Sequence, residues 1–132
     1  MIKLLKYADS IVNLLDKNNT YISHRLYRQH TTITNTGLVK DLSKLGRDLN
    51  KVIMIDNIAE NFKLQPNNGF WIKTWNEDIK DTQLKDLNII LKKIYFIQPV
   101  DVRVIVKKIK DEVSKRLSRN LNISPYSNLD VN

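Results

Sequence analysis

Apolar residues recur at three- and four-residue intervals in several stretches of the chain, and this spacing predicts amphipathic helices. One such helix is expected over residues 4–15, a second over 84–94 and a third over 102–117, whose outer face is basic. A shorter helix is predicted over 39–45, because Gly46 suits the left-handed conformation that ends many helices.

Other stretches have the pattern of strands. The continuous apolar run at 52–55 is typical of a strand covered on both faces in a parallel sheet, and weaker signals lie at 21–27 and 70–72. The 52–55 run ends at Asp56-Asn57. Ligands of open α/β sheets bind beyond the carboxyl ends of such strands, so we expect a metal or phosphate site at this acid-amide pair.

Composition excludes several classes of site. The chain has 132 residues, enough for one domain, and no cysteine, which excludes disulfides, thiolate metal sites and a cysteine nucleophile. No apolar run approaches the ~20 residues that span a bilayer, and residues 1–6 are too short for the apolar region of a secretory signal. We expect an intracellular protein, nuclear or cytoplasmic, with a mitochondrial location left open.

The net charge of +8 raises the question of nucleic-acid binding. The basic residues are spread along the chain, and the aromatic residues do not interleave with them as a base-stacking surface requires. We therefore favour a solvated basic surface and consider nucleic-acid binding unlikely. A basic C-terminal helix that binds nucleic acid or an acidic partner stays as an alternative.

Lys40 and the Asp56-Asn57 pair are the candidates for chemistry. A lysine supplies a point positive charge for a phosphoryl oxygen, and Mg²⁺ takes hard oxygen ligands of the kind that both Asp56 and Asn57 offer. Taken alone, a lysine before a helix is usually solvated, and Asp-Asn after a strand is often a turn. The surrounding sequence decides between these interpretations.

About two-thirds of the chain resembles the NLI-interacting-factor-like phosphatases, which are related to the RNA polymerase II C-terminal-domain phosphatases of the haloacid dehalogenase superfamily. The most specific block is Lys40-Asp41-Leu42-Ser43-Lys44-Leu45-Gly46-Arg47-Asp48. Further matches are Tyr7-Ala8-Asp9, Leu14-Leu15-Asp16, Arg25-Leu26-Tyr27-Arg28, Val39, Asp56-Asn57, Gln65-Pro66-Asn67-Asn68-Gly69, Trp75, Asp81-Thr82, Leu84 and Asp86-Leu87. The resemblance covers the C-terminal half of the family's domain.

The resemblance implies roles for individual residues. Lys40 would be the catalytic lysine that bridges the nucleophile and the transferred phosphate. Asn57 would bind Mg²⁺, with Asp56 supporting the metal site beside it. Arg28 would help to hold the substrate phosphate, although Gln29 replaces the acid that usually follows it.

The resemblance also implies an attacking aspartate in an Asp-x-Asp-x-(Thr/Val) motif, which occurs nowhere in this chain. We therefore expect a chain truncated before the nucleophile, inactive alone and binding Mg²⁺ weakly or not at all. The expected fold is α/β: an incomplete Rossmann-like haloacid dehalogenase core without its first core strands, plus a C-terminal amphipathic helix. The strand at 52–55 would then keep an unpaired edge, which predicts low stability or assembly with a partner.

The expected organisation is a phosphatase-like part over 1–97, a basic helix over 98–119 and a flexible tail over 120–132. The favoured function is part of a Mg²⁺-dependent protein serine/threonine phosphatase whose phosphoprotein substrates include the RNA polymerase II C-terminal domain. The alternative is a non-catalytic binding module, resembling the mitochondrial inner-membrane translocase subunit that uses the same domain to receive presequences.

Overall fold

A computed structural model describes residues 2–131, with side chains described from Tyr7 onward. The chain divides into two compact units, residues 1–32 and residues 33–132. Among the helices that this part of the chain forms, none has the length and apolar character needed to cross a membrane.

The N-terminal unit consists of helix α1 (Ile2–Leu15) and an extended segment that ends in a 3-10 turn, Arg28–His30. The buried carboxylate of Asp16 closes the helix by accepting hydrogen bonds from the backbone N–H groups of Thr20 (2.8 Å), Tyr21 (3.0 Å) and Ile22 (2.8 Å). Burial raises the pKa of Asp16, but these hydrogen bonds outweigh it and leave the pKa lowered.

The helix predicted over 4–15 is confirmed, whereas the strand predicted over 21–27 is wrong. This segment is extended but has no neighbouring strand among the described residues, and contacts of side chains hold it instead. Asp9 on α1 accepts hydrogen bonds from Arg25 Nη1 (3.1 Å) and from the Tyr27 hydroxyl. Alternating apolar residues without a partner strand therefore give an extended segment and no sheet.

The described residues form two small sheets. Strand β1 (Thr32–Thr34) pairs with β2 (Gly37–Val39). Strand β3 (Met54–Asp56) runs parallel to β4 (Gly69–Trp71), with Asp56 opposite Trp71. Both strands of the second sheet were predicted, but Ile55 is 36% exposed, so β3 is not covered on both faces.

The short helix predicted over 39–45 is only partly formed. Val39 belongs to β2, and a 3-10 turn occupies Leu42–Leu45. Asp41 begins this turn by accepting a hydrogen bond from Ser43 N (3.1 Å), and Gly46 ends it with a left-handed φ of 63°. The helical stretch is too short for the apolar periodicity to develop into a full α-helix.

Helices α2 (Gln83–Ile97) and α3 (Val102–Ser118) confirm the two remaining helix predictions. Acidic side chains satisfy backbone donors at both starts: Asp81 accepts from Gln83 N, and Asp101 accepts from Arg103 N, each at 2.9 Å. The apolar faces of both helices share one core with β4, formed by Phe70, Leu87, Ile90, Ile94, Val102, Val106, Ile109 and Val113. The predicted α/β class agrees with this arrangement.

The end of the chain packs on this core, although its polar composition led us to expect a flexible tail over 120–132. Tyr126, Leu129 and Val131 are buried, and Asn132 lies outside the described residues. The Tyr126 ring meets Phe70 edge-on with ring centroids 6.1 Å apart, and its hydroxyl donates to the Trp71 carbonyl. Three apolar side chains among polar ones are sufficient to anchor the segment.

Candidate functional site

Lys40 and Asp56 form an ion pair at the carboxyl end of β3. Lys40 follows β2, Asp56 ends β3, and the distance from Lys40 Nζ to Asp56 Oδ2 is 2.5 Å. The Asp56 side chain is 3% exposed and that of Lys40 is 51% exposed. The pair therefore presents its cation to solvent and keeps its anion inside.

The Asp56 carboxylate is held by further donors. Ile58 N donates to Oδ1 (2.8 Å), and Asn61 Nδ2 lies 3.0 Å from Oδ1 and 3.1 Å from Oδ2. Burial raises the pKa of Asp56, but hydrogen bonds from Lys40, Ile58 and Asn61 outweigh burial and leave the pKa below its usual value. Asp56 is thus an ionised group that fixes the direction of the Lys40 side chain.

Asn61 contacts both members of the Lys40–Asp56 pair. Its side chain binds Asp56, and its backbone carbonyl accepts a hydrogen bond from Lys40 N (2.7 Å). It lies in the 3-10 turn Ala59–Phe62. Sequence reasoning missed this residue, because an asparagine in a polar segment after a strand has no signal that separates it from an ordinary turn residue.

Asn57 lies beside the pair, and its amide is oriented. Its Nδ2 donates to Thr74 Oγ1 (2.9 Å), and its backbone carbonyl accepts from Trp71 Nε1 (3.0 Å). Because Nδ2 is used as a donor to Thr74, the amide oxygen Oδ1 is the atom that can bind a cation.

Lys40, Asp56 and Asn57 line one cleft of about 960 Å³. Strand β3, the segment that follows β4, and helix α2 give it an apolar lining from Ile55, Ile72, Leu84 and Leu91, and its other residues are Lys73, Trp75, Asp81, Lys85 and Asn88. The structure therefore brings three of the four predicted site residues together.

The oxygen donors of the cleft are a partial fit to Mg²⁺. Asn57 Oδ1 is a hard oxygen ligand of the kind that Mg²⁺ accepts, whereas both oxygens of Asp56 already accept hydrogen bonds. Within the described residues, no group of three or more His, Cys, Asp or Glu is placed to hold a metal ion. Asn57 can therefore serve as one ligand, and Asp56 can support the metal site beside it. Water or phosphate oxygens must supply the other ligands.

Arg28 lies in the N-terminal unit, where it is the exposed first residue of the turn Arg28–His30. Its backbone carbonyl accepts a hydrogen bond from Thr31 Oγ1 (2.6 Å). Its predicted role in phosphate binding stays a prediction.

The segment that follows Lys40 is fixed by Gln65. The Gln65 carbonyl Oε1 accepts from Leu42 N (3.0 Å), and its Nε2 donates to Asp41 Oδ1 (2.9 Å). Hydrogen bonds from Ser43 and Gln65 lower the pKa of Asp41. The Gln65 amide thus links the matching block Gln65–Gly69 to the matching block Lys40–Asp48.

Asn68 connects the same region to the approach of β3. Its side chain is buried, and Nδ2 donates to the backbone carbonyls of Leu49 (2.6 Å) and Val52 (2.7 Å). The sequence indicates Gln65 and Asn68 only as part of a matching string, whereas the structure shows that their side chains hold the backbone at Leu42, Leu49 and Val52.

Comparisons with known proteins place the chain in a family. A family model described as NLI interacting factor-like phosphatase matches residues 3–103. Phosphatase Herzog of Drosophila melanogaster is 36% identical over 91 residues, which are 69% of this chain and 26% of that protein. The human CTD small phosphatase-like protein is 40% identical over 84 residues, 64% of this chain and 30% of that protein.

A third relative is named for a different role. The mitochondrial import inner membrane translocase subunit TIM50 of Kluyveromyces lactis is 36% identical over 107 residues, 81% of this chain and 22% of that protein. The chain thus spans less than a third of the length of each of these relatives. From the match over residues 3–103, the chain belongs to the NLI interacting factor-like phosphatase family of the haloacid dehalogenase superfamily.

Proposed function

We propose that this chain supplies the phosphate-binding lysine and a Mg²⁺-binding amide of a protein serine/threonine phosphatase site. The observation that carries the proposal is the Lys40–Asp56 ion pair at the end of β3, which shares one cleft with Asn57. An oriented cation beside an oriented amide oxygen is what a bound phosphate and its metal ion require.

Lys40 acts on the phosphoryl group. Its ammonium has three N–H donors, of which Asp56 takes one, so the others are left for phosphate oxygens. Because Asp56 and Asn61 hold the lysine, little of its rotamer entropy remains to be lost when phosphate binds. The negative charge of the phosphoryl group is then partly neutralised at a fixed position.

Mg²⁺, when bound, supplies the charge that offsets repulsion between phosphate and an attacking carboxylate. In this chain Asn57 would hold the ion through Oδ1, and Asp56 would support the metal site beside it. Arg28 would add a second cation for the phosphate.

We propose a substrate class from the names of the relatives. Relatives named CTD small phosphatase-like protein support a phosphoserine or phosphothreonine protein as substrate, with the RNA polymerase II C-terminal domain as one candidate. We propose an intracellular setting, nuclear or cytoplasmic, and a mitochondrial one only for the alternative function described below.

Equilibrium binding of a fluorescent phosphoserine peptide tests the proposal, with the unphosphorylated peptide as reference. Loss of a hydrogen bond to a charged group costs about 1.5–3 kcal/mol, so Lys40→Ala should weaken phosphopeptide binding about tenfold or more. Lys44→Ala, which removes an exposed lysine on the neighbouring turn, is the matched control. Equal affinities of wild type and Lys40→Ala would refute the assignment.

The metal site is tested in the same assay by titrating Mg²⁺. In a chain completed by an N-terminal strand with the Asp-x-Asp-x-(Thr/Val) motif, we expect added Mg²⁺ to strengthen phosphopeptide binding, and to have a smaller effect when Asn57→Ala is introduced. When the chain is joined to an N-terminal strand with the Asp-x-Asp-x-(Thr/Val) motif, Lys40→Ala should also lower turnover of p-nitrophenyl phosphate strongly.

A second candidate is a non-catalytic binding module. The similarity to the translocase subunit over 107 residues and the apolar lining of the cleft favour it. Three lysines also line this cleft and would repel a basic amphipathic segment. Binding of a basic amphipathic peptide that does not change with Mg²⁺ or with Lys40→Ala would support this candidate over the phosphatase.

A further inference from the structure

Lys73 and Lys85 line the cleft together with Lys40, and the structure shows which segments carry them. Lys73 follows β4, and its backbone N–H donates to Gln83 Oε1 (2.9 Å), which ties this segment to the first turn of α2. Lys85 lies on α2 two residues after Gln83. One wall of the cleft therefore presents two exposed ammonium groups from adjoining segments.

These two lysines are not neutralised in the way that Lys40 is. Lys40 is paired with Asp56, whereas none of the ion pairs formed within residues 7–131 includes Lys73 or Lys85. Asp81, the other acid in the cleft, uses Oδ1 to accept a hydrogen bond from Gln83 N. With three lysines against two acids, the cleft carries an excess of positive charge.

We propose that Lys73 and Lys85 make the cleft selective for phosphopeptides whose phosphorylated residue is flanked by acidic side chains. This inference rests on the proposed function, because Lys40 must hold the phosphate for a flanking acid to meet the other two lysines. An extended peptide advances about 3.3–3.6 Å per residue, so side chains next to the phosphoresidue remain within the cleft. The apolar lining reduces solvent screening of the resulting charge pairs.

The test compares two fluorescent phosphoserine peptides that differ only in having Glu or Gln on both sides of the phosphoserine. Exposed ion pairs contribute about 0.2–1 kcal/mol, so each lysine should account for roughly a 1.4- to fivefold preference for the Glu peptide. The double variant Lys73→Gln/Lys85→Gln should lose this preference, because its affinity for the Glu peptide should fall more than its affinity for the Gln peptide. The preference should also shrink between ionic strengths of about 0.01 M and about 1 M, where the Debye length falls from ~30 to ~3 Å.

Lys92→Gln/Lys107→Gln is the matched control, because it removes the same charge from exposed positions of α2 and α3 outside the cleft. We expect the control to keep the preference for the Glu peptide. The inference is overturned if the cleft variant keeps the preference or if the control loses it equally. If Lys40-dependent phosphopeptide binding occurs without any Glu preference, only this inference fails; if neither phosphopeptide binds better than its unphosphorylated form, the proposed function fails with it.

Discussion

Gly69→Ala is a perturbation whose effect can be worked out from atomic positions. The backbone at Gly69, with φ −108° and ψ 132°, is one that alanine adopts readily. An added Cβ, however, would lie 2.3 Å from Phe62 Cδ2 and 2.5 Å from Cγ. The Phe62 ring is 4% exposed, and Lys110 Nζ lies 5.6 Å from its centroid on one face. The ring must therefore move within a packed environment.

Two opposing effects set the change in the free energy of unfolding. Forcing an extra carbon into a packed core costs about 1–3 kcal/mol. Replacing glycine by alanine restricts the unfolded chain, which returns about 0.4–1 kcal/mol. We expect Gly69→Ala to lower the free energy of unfolding by roughly 0.5–2 kcal/mol. Because Phe62 follows Asn61 directly, displacement of the ring should also disturb the support of Asp56 and weaken phosphopeptide binding.

Urea unfolding followed by tryptophan fluorescence measures the stability, and Phe62→Leu supplies the second arm of a double-mutant cycle. The smaller side chain should relieve the clash, so Gly69→Ala should cost at least about 0.5 kcal/mol less in that background. Gly46→Ala is the control, because its Cβ meets no atom within 4 Å and its cost of about 1–2 kcal/mol comes from the left-handed φ of 63°. A Gly69→Ala protein as stable as wild type, or one not relieved by Phe62→Leu, would refute the reasoning.

Three further predictions concern the supports of the site. Asn61→Leu removes donors from the buried Asp56 carboxylate and should cost about 1–3 kcal/mol in urea unfolding while weakening phosphopeptide binding; unchanged affinity would argue against a positioning role. Asn68→Ala removes one donor from each of two backbone carbonyls, of which that of Leu49 also accepts from Val52 N (3.4 Å), and should cost about 1–3 kcal/mol, with a lower thermal midpoint. Because the pKa of Asp56 is lowered, its stabilising contribution is present above the unfolded value of about 3.9 and is lost as pH falls through the folded pKa. Acid unfolding of Asp56→Asn should therefore depend less on pH below about 4 than that of the wild type; identical profiles would contradict this.

The features predicted correctly are those with a local signal. Helices α2 and α3 repeat an apolar face over several turns, and the apolar run before Asp56 predicts a strand that ends near this residue. Lys40 and Asn57 could be singled out for the same reason, since each lies next to a recognisable element, and their roles stay predictions. In physical terms, the information for these features is contained within a few neighbouring residues.

The features missed depend on contacts between distant parts of the chain. Gln65 meets Asp41 across 24 residues, and the Tyr126 hydroxyl meets the Trp71 carbonyl across 55, distances at which periodicity carries no information. The segment 21–27 shows the converse error, because alternation alone cannot tell whether a partner strand exists. The proposed selectivity of the cleft is of the same kind, since Lys73 and Lys85 come to line one cleft with Lys40 only through folding.

The packing of Tyr126, Leu129 and Val131 against the core has a consequence for synthesis of the protein. Burial raises the pKa of Tyr126 to about 12, so its hydroxyl remains a donor to the Trp71 carbonyl across the physiological pH range. Because these side chains belong to the core that Phe70 shares with α2 and α3, this core is complete only after residue 131 has left the ribosomal exit tunnel. Until then its apolar interior is a target for chaperones.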